Sequence, residues 1–145
     1  MTFAVQIEKF AEKVGNRANA VVGNIVIRVA QELDKRSPVG DATYWKHPAP
    51  KGYIGGHFRG NWQLGVGSMP TVELARVDPT GAATQGAILA EIPAEAAGKV
   101  YFLANNVPYA QRLEDGYSRQ APSGVVGLTV TMFQQIVREA VEALP

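Results

Sequence analysis

With 145 residues, 14 Lys and Arg against 13 Asp and Glu, and no cysteine, the chain fits a single domain over 1–145 around one core. It has no disulfide framework and no thiolate metal site. A formal net charge of +1 is too balanced to grip a duplex nonspecifically. No apolar run has the length to cross a bilayer and no secretory signal pattern opens the chain, so the expectation is a protein made in the cytoplasm with no membrane partner.

From Ala4 to Leu33, apolar residues recur at Ile7, Phe10, Ala11, Val14, Ala18, Val21, Ile25, Val29 and Leu33. That spacing predicts one long helix, or two in line with a bend near Gly15 and Asn16, whose stripe packs in the core. Its length also suits packing on a neighbouring subunit. Pro38 ends it, with Lys35 and Arg36 in the last turn against the exposed carbonyls.

Three prolines and five glycines then interrupt residues 38–60, with no periodicity. An exposed arm or hairpin is expected over 41–60, and a structureless loop of that length usually binds something. Its Tyr44, Trp45, Lys46, Lys51, Tyr53 and Arg59 interleave aromatic and basic side chains, which marks them as candidate subunit or partner contacts.

Trp62, Leu64 and Val66 alternate with Gln63 and Gly65 as a half-buried strand, and 72–77 reads as its hairpin partner. Asp78 and Pro79 look like the cap and first position of a short helix that Pro93 ends, with a third strand over 87–92 as the rival reading. Val100 to Leu103 form a buried strand that should stop at Asn105. Pro108 then starts a short helix to Glu114, and Gly116 sits where a helix ends on a left-handed residue. Asn105, Asn106, Tyr109, Arg112, Glu114, Tyr117 and Arg119 gather there as a polar corner, with Glu114 expected to pair with Arg112 or an arginine of the next subunit. Ser123 is expected to cap a last helix through Leu128, Met132, Ile136, Ala140 and Leu144 that packs on the sheet. The fold expected is α+β: a long N-terminal helix and a C-terminal helix on a small, mainly antiparallel sheet, with a long extended loop.

Chemistry is sparse. His47 and His57 lack spaced acidic partners, so no metal site is expected. Gly52, Gly55 and Gly56 with Lys51 and Arg59 match no nucleotide-binding spacing, and Ser37, Ser68, Ser118 and Ser123 lack a nucleophile-elbow setting. The expectation is no enzyme, no catalytic residue and no cofactor.

Two blocks carry a family resemblance. NNVPYAQRLEDGYS followed by QAPSGVVGLTV, and Arg36–Gly40 followed by Phe58–Trp62, resemble the tail-completion, or neck, proteins of long-tailed double-stranded-DNA bacteriophages. The resemblance implies a virion structural protein at the head–tail junction, a homo-oligomeric ring with six copies among the options. It also implies contacts with the head connector and with tail tube or tail terminator proteins, and DNA crossing the lumen without sequence-specific binding. Lys46, Lys51 and Arg59 are the residues expected to face that DNA. A tail terminator capping the tube is the runner-up. A small-ligand module or enzyme using the Asn105–Arg119 corner is the rival from another class: a pocket with perturbed ionisable groups favours it, and a flat polar surface with the loop extended favours assembly.

Overall fold

The computed structural model describes residues 3–144, with side chains described from residue 6 onward except that of Tyr44. Helix α1, Phe3–Arg36, is continuous through Gly15. Its C-terminal half places Val26, Ala30 and Leu33 in the core. Lys35 and Arg36 close its last turn, and the Ser37 hydroxyl donates to Leu33 O at 2.6 Å just before Pro38 stops the helix.

Two strands make the sheet, β1 (Trp62–Val66) and β2 (Tyr101–Asn105), paired antiparallel with Trp62 opposite Asn105 and Leu64 opposite Leu103. Trp62 and Leu64 point into the core beside Phe58, Ile88, Val107 and Val125. Residues 72–77 do not join the sheet, contrary to the hairpin expectation. Side chains occupy the place a ladder would take. The fully buried Asn61 accepts from Leu74 N at 2.7 Å and donates to Leu74 O at 3.0 Å and His57 O at 2.8 Å. Gln63 donates to Val72 O, and Arg76 donates back to Gly60 O and Trp62 O. Pro70, with no N–H to offer, lies against Gly65 at the start of this run.

Helix α2, Ala82–Glu91, forms where a helix was expected, and the strand alternative over 87–92 is excluded, but it starts later than expected, with Gly81 and not Asp78 at its cap and Pro79 outside it. Asp78 organises its start from four residues upstream, accepting from Gly81 N at 3.0 Å, Thr84 N at 2.8 Å and Thr84 Oγ1 at 2.7 Å. Helix α3, Ala110–Glu114, is one turn long; it begins two residues after Pro108, which lies in the preceding turn and not at its first position, and it ends as read from the sequence, with Gly116 at φ +87°. A Cβ at Gly116 would also run into Pro122 O.

The last helix is two helices, α4 (Val126–Thr131) and α5 (Phe133–Glu142). Thr129 and Thr131 hydroxyls bond back to Val125 O and Leu128 O, a local competition that bends helices. These helices rest on α1: Asn24 donates to Ala140 O, Arg28 pairs with Glu139 at 3.3 Å and Arg36 donates to Met132 Sδ. The architecture is α+β, a long N-terminal helix with a small antiparallel sheet. Among the described residues no helix is long and apolar enough to cross a membrane.

Candidate partner-binding groove

Two short motifs fix the frame. Trp62 Nε1 donates to Ser37 Oγ at 2.7 Å, joining β1 to the end of α1. Arg59 donates to Ser37 O at 2.9 Å and to Pro79 O at 2.6 Å, with Asp34 3.8 Å from its Nε. Burial raises the Asp34 pKa; Arg59 lowers it and Asp78 raises it further, and the net shift is upward. Arg59 therefore staples three segments together from inside the chain and does not extend from the loop toward a lumen, as the sequence had suggested.

The loop after Pro38 is exposed along 41–54, apart from partly covered Ala42 and Ala49 and the undescribed Tyr44 side chain, and wired in at its end. Asp41 accepts from Thr43 N and starts a single 3-10 turn at Ala42–Tyr44. The Trp45 and Tyr53 rings then pack against each other in a tilted contact, centroids 4.7 Å apart at 53°. Gly56, at φ +117° with no room for a Cβ beside Asp78 and Pro79, turns the chain inward. Its carbonyl accepts from both Gly60 N and Asp78 N. Gln120, which no sequence signal marks, clasps the other side: its amide donates to Val39 O at 2.7 Å and accepts from Val39 N at 3.0 Å.

That clasp brings the loop and the corner together across a groove of about 870 Å³. Trp45, Tyr53, Tyr109 and Tyr117 line it with Leu113, Arg119 and Phe58. Trp45 is 44% exposed, Tyr53 and Tyr109 40% each and Tyr117 77%, so each ring is partly offered to a ligand. Burial raises the pKa of the Tyr109 hydroxyl, helped by Tyr53 and Glu73, so at neutral pH it is a neutral donor. The Arg112 guanidinium lies 6.0 Å from the Tyr117 ring centroid, at the edge of cation–π range.

The other expected contact residues hold the groove together. Asn105 donates to Phe58 O at 2.8 Å, and Asn106 donates to Pro70 O and Val72 O. Glu114 does not pair with Arg112. Its carboxylate accepts from Val125 N, Val126 N and Gly127 N at 2.8–2.9 Å and so caps α4, the task expected of Ser123. Burial would raise its pKa, but these three backbone N–H groups outweigh burial and hold it below the ordinary glutamate value. Lys46 and Lys51 are exposed on the loop, and the Tyr44 side chain lies outside the described residues. Among the described residues no three acidic or histidine side chains converge in a way that would hold a metal. A wide, half-open, aromatic surface with hydroxyl, amide and guanidinium groups at its rim is suited to binding a peptide segment or side chains of another protein. No protein-family model, no curated protein and no solved structure matches the chain.

Proposed function

We propose that this chain is a non-enzymatic virion structural protein of the head–tail junction of a long-tailed bacteriophage, a ring-forming tail-completion protein that joins the tail to the DNA-filled head. One observation carries the reading. The two sequence blocks that resemble such proteins, Arg36–Gly40 with Phe58–Trp62 and Asn105–Ser118 with Gln120–Val130, converge on one groove through Trp62–Ser37, Asn105–Phe58 and Gln120–Val39. In this reading the groove receives a segment of an adjoining subunit, or of the connector or tail tube, with Trp45, Tyr53, Tyr109 and Tyr117 as anchors. Lys46 and Lys51 are then the loop cations available to passing DNA. A tail-terminator role would use the same surface at the end of the tail tube.

The groove's volume lies within the range of small-ligand sites, which supports a second reading as a ligand-binding module. The two readings separate in lysates of a phage that encodes this chain. A premature stop in the gene should yield DNA-filled heads and finished tails that remain apart, and adding the purified protein should join them. Normally joined particles without the protein would refute the assembly reading. Tails of uncontrolled length would assign the terminator role instead.

A further inference from the structure

The C-terminal half of α1 is enclosed on two sides. On one, Asn19 accepts from Ala97 N, Gly23 faces Ile92 and Gln85 donates to Ala30 O. On the other lies α5, running antiparallel, with Asn24 on Ala140, Arg28 on Glu139 and Arg36 on Met132. At about 100° of rotation per residue, each face can be followed toward the N-terminus. The first meets Glu8 and Glu12, which suit water. The second continues as Ile7, Phe10, Ala11, Val14 and Ala18. All five are exposed, Ile7 at 52%, Phe10 at 69% and Val14 at 52%. Helix α5 ends at Glu142, alongside the turn of α1 that holds Asn24, so the apolar stripe runs on where its intramolecular cover stops.

We propose that residues 7–18 of α1 are a self-association surface, covered by the same stripe of a second copy of this chain with the two helices pointing the same way. The flanking charges choose both the occupant and the direction. By the same rotation Glu8 borders the stripe on one side and Lys13 on the other, while Lys9 and Glu12 fall on the far face of the helix. Helices paired in the same direction set the acidic flank of one copy against the basic flank of the next. Antiparallel pairing about a two-fold axis sets acid against acid and base against base. The same-direction contact repeats around an axis parallel to the helices and so admits more than two copies. Small Ala11 and Ala18 between the larger side chains let the helices approach closely. The inference stands on α1 alone and does not depend on the head–tail reading.

The test uses the full chain, which contains no cysteine. Light scattering should show a mass above the 15.6 kDa monomer that rises with concentration, and F10E/V14E should return it to the monomer with the melting temperature unchanged. Ile7→Cys and Val14→Cys, each made singly, should both give disulfide-linked dimers under mild oxidation, and Glu12→Cys should not. A wild-type chain that stays monomeric at its highest soluble concentration, leaving the stripe to some other protein or surface, would overturn the proposal. Cross-linking at only one of the two stripe positions would also overturn it, because antiparallel helices bring at most one such position to its own copy. If F10E/V14E fails to fold, the cysteine pair still decides.

Discussion

Glu114 takes three backbone N–H groups at once, which makes it the residue that ties the corner to the C-terminal helices. Replacing it with Ala should cost about 1–2 kcal/mol, the upper part of the range for a lost helix cap, read as a shift of the urea midpoint. The effect carries a sign with pH. The folded carboxyl titrates below its unfolded value, so its contribution is complete above about pH 4.3 and is lost as pH falls through the lower folded value. Asp34, whose pKa is raised, has the opposite sign: its contribution is present at low pH and is lost as pH rises through the folded value. Comparing wild type with Glu114→Gln over that range isolates the one group. The gap in stability should narrow toward acid, and a constant gap would contradict the capping role. Asn61 is a second such residue, fully buried and bonded to His57 and Leu74. Asn61→Ala leaves buried donors and acceptors without partners and should cost about 3 kcal/mol with an unchanged denaturant slope.

Elements differ in how much of their surroundings they need. The loop reaches from Gly40 to Gly55 and returns to nearly the same place, since a Cβ on Gly55 would meet the Gly40 carbonyl. Replacing 42–53 with a short Gly-Ser joint should therefore leave melting close to wild type while removing Trp45 and Tyr53 from the groove. Deleting 41–56 should destabilise clearly, because it also removes the Gly56 carbonyl that holds Gly60 and Asp78. Equal melting of the two variants would contradict this division. The same contrast explains what could be read from sequence. Helix α1, the break at Pro38, β1, β2 ending at Asn105 and the left-handed Gly116 are written in local periodicity and in residues with restricted or unusual backbone angles. The run 72–77 alternates like a strand, yet its backbone bonds to the Asn61 and Gln63 side chains and its Arg76 side chain donates to Gly60 O and Trp62 O, a distinction that periodicity does not carry. Glu114 and Gln120 act across 11 and 81 residues of chain, and no local spacing marks either one. Arg59 looked like an exposed loop cation because its acceptors are carbonyls of Ser37 and Pro79, which any sequence would supply.

At the scale of the molecule, the polar framing residues and the exposed aromatic groove divide the labour. Asn105, Asn106, Arg59, Glu114 and Gln120 build the frame. Tyr109, Tyr117, Trp45 and Tyr53 present its open face. Substitutions of the second set should spare folding and damage association, because interface anchors lose contacts only in the complex. Arg112→Ala follows that logic with a smaller effect: its exposed contact with Tyr117 is worth under about 1 kcal/mol to the free chain. Its melting should be nearly normal, and its head-to-tail joining should fall if the guanidinium meets the partner. Normal joining by Arg112→Ala would remove that residue from the interface and leave the groove itself to be tested.

The most direct test of the groove's role is in vitro joining of purified DNA-filled heads and free tails, prepared without this chain, by wild type and by the Tyr109→Ala/Tyr117→Ala variant at matched melting temperature. The account predicts joined, infectious particles with wild type and heads and tails left separate with the variant. Equal joining by the two proteins, or joining with neither present, would contradict it.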